Sequence, residues 1–462
     1  MAISPGLLGL GAGLMGACAL EPAWGLWLLL AATIVEVRTD TTLGFTVYAS
    51  EVVFACVLAV WAAVRGRAVL RDPAHRSLLV ASCFMVVAAF VSGVLAGTRA
   101  DAVKGALRWA EFAGVALMAS DAGARGVFSR RLVVGGLALV ALVLSVQALA
   151  DARPWVLRLD DAPARIVFRL PGGAVVWRAA GFEHPNVLAA ALFPCAAVCA
   201  AAWIALPVSS IAIAALAASG LAGATIVLTY SRGGLLGWLA AMAAVLAAGL
   251  MGPAKRGALV RFAGAVAVTA ALVRLFAAPA ALAEQVRSVR TTAVKMAGIA
   301  GGHSEGKRLK DDLMGEASQA EMAVGSLNDR KLMAETAGRI HRAHPWFGAG
   351  PGGWRREAPA LAPAEMTAAG LTHHPHNLYL LVLCEGGLAG FAAFVILVIA
   401  LIRGPARIGP WPAAAFQYAW VGIFAGFLAV SAFDVPLVHA RGMGFAFLLG
   451  LLRWPLPEES RA

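Results

Sequence analysis

The sequence predicts an all-α integral membrane protein with about 12 transmembrane helices and one large, mostly helical extramembrane loop between spans 9 and 10. Three observations lead there. The 462 residues are 60% hydrophobic and only 14% charged, with a mean hydropathy of +0.77. Soluble domains hold roughly 45–50% apolar and about 25% charged residues. The apolar stretches run near the ~20 residues a helix needs to cross a bilayer, not the ~10 alternating residues of an outer-membrane barrel strand. Short basic loops recur between alternate pairs of stretches, as the positive-inside tendency requires.

Apolar spans fall near 22–36, 46–64, 77–97, 104–120, 131–151, 186–206, 208–229, 233–251, 259–280, 377–402, 411–432 and 438–453. The basic loops hold Arg65, Arg67, Arg71 and Arg76, then Arg125, Arg130 and Arg131, then Lys255, Arg256 and Arg261, and finally Arg403 and Arg407. Placing all four inside satisfies strict alternation and puts both termini inside. The stretch 5–20 is left over as a half-helix, a re-entrant piece or a thirteenth span. Met1 to Ala19 looks superficially like a signal peptide but lacks a basic n-region, so it reads as retained. Cys18, Cys56, Cys83, Cys195, Cys199 and Cys384 all lie in apolar stretches and read as small buried hydrophobes rather than a disulfide framework. The net charge of +12 is put down to orientation, and no soluble basic domain is present to bind nucleic acid.

Three regions follow: an N-terminal transmembrane bundle over 1–280, a loop domain over 281–376, and C-terminal transmembrane helices over 377–462. Two loops face outward. The first, 152–185, carries Arg153, Arg158, Arg165, Arg169 and Arg178, and its ARIVFRLPGGAVVWRAAG run reads as two short strands around a Pro-Gly-Gly turn. The second, 281–376, holds a helical patch KLMAETAGRIHR and the turn-rich HPWFGAGPGGW. Six of the nine histidines lie there, which directs the search for proton chemistry to that face.

The most informative stretch is His373-His374-Pro375-His376-Asn377-Leu378-Tyr379, where a polar loop enters an apolar helix. Pro375 discourages an earlier helix start, and Asn377 is a good capping residue. A histidine beside the positive end of a helix stays neutral and can accept a proton. It can also cap the helix or bind metal, although the spacing matches neither HExxH nor a His/Cys zinc pattern. Arg232, in Ser231-Arg232-Gly233-Gly234 at an outer span end, offers a guanidinium beside exposed backbone N–H groups, a combination suited to phosphate. The alternative is a snorkelling interfacial residue. Arg330 sits on a helix in the large loop, and Arg178 precedes Gly181-Phe182-Glu183-His184-Pro185-Asn186. Each alone could be a solvated charge. Arg108 and Glu111, three apart on one helix, read as a structural pair.

Together these motifs resemble the O-antigen ligase and polymerase superfamily of bacterial inner-membrane proteins. The resemblance rests on His376-Asn377 followed by Gly387-Leu388-Ala389-Gly390, on Ser231-Arg232-Gly233-Gly234, on the Arg330 helix leading to His344-Pro345 and Gly348-Ala349-Gly350, and on the RAAGFEHPN segment at 178–186. It implies a large periplasmic loop between the ninth and tenth spans and an active site facing the periplasm. It implies a donor of undecaprenyl-pyrophosphate-linked O-antigen, a lipid A-core acceptor, and neither metal nor other cofactor. Carried over by motif, His376 would be the general base, and Arg232 and Arg330 would hold the pyrophosphate leaving group. Arg178, Asn377 and His373 would join them in binding substrate. Displacement would invert the anomeric carbon. Polymerases and protein O-oligosaccharyltransferases share these motifs, so the branch stays open, with the basic 152–178 loop favouring the ligase. A lipid-linked oligosaccharide transporter is the reading from another class, but the polar residues lie at span ends rather than at the midplane.

Overall fold

The computed structural model describes residues 21–35, 38–40, 46–151, 167–169, 175–177, 179, 185–252, 255–276, 317–364, 366, 374–403, 413–432, 434–435 and 441–456. The stretch 5–20, Cys18, and the loop stretches 152–166, 180–184 and 277–316 lie outside them.

The elements follow the apolar pattern closely. They are α1 (Trp24–Val35), β1 (Arg38–Asp40), β2 (Thr46–Tyr48), α2 (Ala49–Arg71), α3 (Pro73–Leu95), α4 (Arg99–Arg125) and α5 (Arg130–Asp151). Next come β3 (Val167–Arg169), β4 (Val175–Trp177), α6 (Pro185–Ala205), α7 (Ser210–Leu228), α8 (Arg232–Met251) and α9 (Lys255–Phe276). The extramembrane helices α10 (Ala317–Ala343) and α11 (Gly353–Leu361) precede α12 (Leu378–Ile402), α13 (Ala413–Ser431) and α14 (Arg441–Leu451). Each of the dozen apolar stretches is a helix. The strands anticipated around Pro-Gly-Gly pair antiparallel, Val167 with Trp177 and Arg169 with Val175.

Local sequence explains the helix ends. Asp72 caps α3 through Ala74 N–H at 2.9 Å, with Pro73 in the first turn, where its missing N–H removes nothing. Ser209 and Ser231 cap α7 and α8 through Ala212 and Gly234. Gly126 closes α4 in the left-handed conformation at φ 65°.

Nine of the described helices are long and apolar enough to cross a membrane. The expectation of about 12 spans is therefore met in full for nine. α1 and α14 have 12 and 11 residues and fall short of a bilayer's ~20. α4 is long, but Arg99, Asp101, Lys104, Arg108 and Glu111 crowd its first half. Arg108 and Glu111 make no salt-bridge contact among the described residues, although the Arg108 charge acts on Glu111; Arg108 also lines a cavity with Glu385. α6 is buried nearly all round, and its alanines let α5, α7, α8 and α13 approach closely. Phe84, Val87, Leu139 and Ile213 are more than half exposed on the outside of the bundle, as lipid-facing positions would be. Cys56 and Cys83 share that exposed surface, contrary to their reading as buried, whereas Cys195, Cys199 and Cys384 are buried.

The helix ends sort into two sets. At one, Arg125 holds Glu21 at 2.6 Å, Arg65 holds Asp121 at 2.9 Å, Arg130 donates to the Leu456 carbonyl at 2.7 Å, and Arg261 donates to the Trp203 carbonyl at 3.0 Å. These are the basic loops of the sequence, gathered at one end of the bundle. At the other end lie the α3–α4 and α7–α8 turns, the extramembrane helices and the start of α12. A satellite core of Met333, Ala337, Ile340, Trp354, Ala358, Met366 and Cys384 fixes α10 and α11 onto α12 there.

Candidate functional site at one end of the bundle

Asn377 caps α12 with extended φ −156°; its Oδ1 accepts from Leu380 N–H at 3.0 Å and its Nδ2 donates to the Ala432 carbonyl at 3.2 Å. The cap fixes the chain just before it. His376 is held at φ 46°, a left-handed conformation that a side chain with Cβ rarely adopts. Its backbone N–H donates to His374 Nδ1 at 3.2 Å, so a neutral His374 carries its proton on Nε2. The two rings lie 3.8 Å apart.

On its other side His376 Nδ1 stands 3.7 Å from Oδ1 of Asp434, the residue that follows α13 by three positions. That is longer than a good hydrogen bond, yet close enough for charge pairing. Burial pushes the Asp434 carboxyl upward; the His376 ring, the Val435 N–H and the His374 ring outweigh it and hold the group below its usual range. A carboxylate facing an imidazole orients the ring and stabilises the imidazolium formed when it takes a proton. The sequence reading missed Asp434. Its signal was available: an acid in Phe433-Asp434-Val435-Pro436, at a span end where apolar residues surround it.

Arg232 is the first residue of α8, directly after the Ser231 cap. Its Nη1 is buried and, among the described residues, meets no hydrogen-bond partner. The turn before it contains Tyr230 at φ 53°, so the two non-glycine residues with positive φ among the described residues both lie at this site. Such strain persists only where surrounding structure enforces it, and it clusters at functional positions. Gly234 lets α8 lie against α6, because a Cβ there would strike Ala189. Arg330 approaches from α10. Burial lowers its pKa, the Arg232 charge lowers it further, and Asp434 and Asp329 oppose that. Burial raises the Asp329 carboxyl against the pull of Arg330 and His376.

Arg232, Arg330, His376 and Asp434 thus come from four elements and act on one another's charge. A neutralising pair of guanidiniums stands beside an imidazole–carboxylate pair, the arrangement needed to bind a polyanion next to a group that loses a proton. Arg178 and His373 lie outside the described residues. Ala179 N–H donates to the Leu228 carbonyl at 3.0 Å, which ties the residue after Arg178 to the end of α7, close to the turn carrying Arg232.

The helix that follows His376 is broken. Gly387 interrupts α12 at φ 62°, ψ −160°. The peptide groups that the break releases are taken up by the HPWFGAG loop. Ala349 and Gly350 N–H donate to the Cys384 and Glu385 carbonyls at 2.8 and 3.0 Å, while Leu388 and Ala389 N–H donate to the Pro345 and Trp346 carbonyls at 2.9 and 3.0 Å. Inside a bilayer such groups must be satisfied, and here the protein itself does so. The Ser92 hydroxyl lies 2.5 Å from the Phe347 and Glu385 carbonyls and pins α3 to the same junction. The Gly352 and Trp354 N–H groups, at the start of α11, face the Glu385 carboxylate.

Beside the site, between α3, α4 and α12, runs a cavity of about 80 Å³. Met85, Phe112, Leu378 and Val435 give it an apolar wall, with Arg108 and Glu385 as its charged groups.

No curated protein matches the chain. Residues 214–395 match the family model described as O-antigen ligase, a stretch that takes in Arg232, Arg330 and His376 but stops short of Asp434. Over this segment the chain is similar to the O-antigen ligase family.

Proposed function

We propose that this multi-pass membrane glycosyltransferase is an O-antigen ligase of the bacterial inner membrane. It moves O-antigen polysaccharide from undecaprenyl pyrophosphate to the lipid A-core oligosaccharide at the periplasmic face. The observation that carries the reading is the convergence of Arg232 and Arg330 on a His376–Asp434 pair. The acceptor hydroxyl oxygen attacks the anomeric carbon, its proton passes to His376, and the bond from that carbon to the pyrophosphate oxygen breaks, with inversion. Asp434 balances the imidazolium. Arg232 and Arg330 hold the departing pyrophosphate, which needs charge neutralisation more than protonation. No metal takes part in these steps. The polymerase and protein-glycosylating branches differ in the acceptor, so the acceptor decides between them.

The test reconstitutes the purified protein with undecaprenyl-pyrophosphate glycan and one of three acceptors: lipid A-core, a second lipid-linked glycan, or a pilin-like protein. Modification of lipid A-core is the expected outcome; extension of the second lipid-linked glycan or of the protein instead would overturn the ligase assignment. His376→Ala should lower transfer by about 10²–10⁴-fold while the protein still inserts. Arg232→Ala and Arg330→Ala should weaken donor engagement, with Lys restoring it only in part because it lacks the bidentate fork.

A further inference from the structure

We propose that the turn after α14 holds a binding site for a phosphate-type oxyanion, with the Arg453 guanidinium as its principal ligand, at the end of the bundle away from His376. Arg453 follows α14 by two positions and is 4% exposed. Its Nε, Nη1 and Nη2 are all buried, and among the described residues none of them has a hydrogen-bond partner. A guanidinium does not shed its proton inside a protein, and a buried charge left alone is among the costliest groups a fold can carry. The turn is nevertheless held against α4. Trp454 Nε1 donates to the Ser120 hydroxyl at 3.0 Å, and a Cβ on Gly123 would strike the Leu451 carbonyl. A second buried nitrogen at this turn is also orphaned. The His75 ring stacks on Trp454 with centroids 5.8 Å apart, and its Nδ1 lies 3.0 Å from Asp72 Oδ2. Its Nε2 is buried and has no hydrogen-bond partner among the described residues. Two such groups at one turn mark a place built for a polar occupant.

The acids described at this end are engaged elsewhere. Arg125 holds Glu21, Arg65 and Trp61 hold Asp121, and Asp72 accepts from the Ala74 N–H and faces His75. The counter-ion of Arg453 therefore comes from outside the described residues. Arg65, Arg125 and Arg130 gather at the same end and make its field positive, which draws anions. A guanidinium fork matches two oxygens of a phosphate, and basic recesses between membrane helices take lipid headgroups. A lipid phosphodiester and free phosphate present the same oxygens. With the anion seated, the Arg453 charge is balanced and the end of α14 is tied down against α4. The site is independent of the transfer reaction.

The test follows thermal unfolding of the full-length protein, purified in a neutral maltoside detergent and freed of lipid and phosphate. Inorganic phosphate is added in one arm, phosphatidylglycerol in mixed micelles in a second, and phosphate-free diacylglycerol in a third. The expected result is a saturable rise of the midpoint in at least one phosphate-bearing arm and none with diacylglycerol; the arm that responds names the source. Arg453→Met removes the charge at similar side-chain length. Without additive it should unfold no lower than the wild type, and its half-saturating concentration of phosphate or lipid should rise at least tenfold. Arg453→Lys should keep a weakened response, because Lys lacks the fork. No saturable rise in either phosphate-bearing arm, or an equal rise in Arg453→Met, would overturn the site. An Arg453→Met variant that unfolds well below the wild type without additive would overturn it too, since the guanidinium would then have its partner within the chain, as Glu458 or Glu459 could supply.

Discussion

His376 holds a backbone conformation that disfavours any residue with a Cβ by about 1–3 kcal/mol, and three separate contacts enforce it. They are the Asn377 cap, the bond from its own N–H to His374, and the Asp434 carboxylate. Asp434 lies below its ordinary value of 3.8 in the folded protein. Its contribution to stability is therefore complete above that value and is lost as pH falls through the lower folded value. Asp434→Asn should lower the thermal midpoint at neutral pH, and the gap from the wild type should close in acid below 3.8. A gap that stays constant down to pH 3 would contradict the ionic account. At this scale His376, Asn377 and Arg232 were legible, since a capping residue, an imidazole and an arginine at span ends announce themselves. Asp434 was not, because its partner lies 58 positions earlier and only the packing of α13 against the bundle brings it back.

α12 shows what a hydropathy reading overlooks. Apart from Glu385 its residues are apolar on both sides of Gly387, so the sequence predicts one span over 377–402. The break is invisible because the groups that satisfy it come from Pro345–Gly350, in a different part of the chain. Gly387 and Gly348 admit no Cβ, since one at either glycine would run into the other strand's backbone. Gly387→Ala should destabilise the protein by about 3 kcal/mol or more, through clash and strain together. Gly386→Ala is the control: its Cβ meets nothing within 4 Å, and its cost should stay within about 1 kcal/mol, the ordinary helix-propensity difference being favourable to Ala. Denaturant titration of both variants in detergent checks the pair, and equal stability would show that the seam does not hold α12. The glycine motif was thus visible in the sequence as a family likeness, while its reason lay in a contact that no local pattern reveals.

For the whole molecule, the periodic basic loops sufficed to predict two sets of helix ends, and the ion pairs of Arg125 and Arg65 gather in one of them with the Arg130 bond to the Leu456 carbonyl. Which set faces the periplasm is tested by labelling single cysteines in an otherwise cysteine-free chain with an impermeant maleimide. Trp346→Cys, at a position 67% exposed beside the site, should react in intact spheroplasts. Arg256→Cys, at the exposed start of α9, should react only after permeabilisation. The reverse pattern would invert the molecule. The span count was less legible, because α1 and α14 owe their places to neighbours rather than to their own length. The seam at Gly387 has one more consequence. It consists of peptide groups alone, with no ionisable atom among its four bonds. The Glu385 carboxylate beside it answers to Arg108 and Arg356, so acid and salt reach the junction through that side chain and not through the four peptide bonds. The protein then has a titratable business end mounted on a joint whose own bonds carry no charge, and a change of side-chain volume at either glycine should prise the two apart.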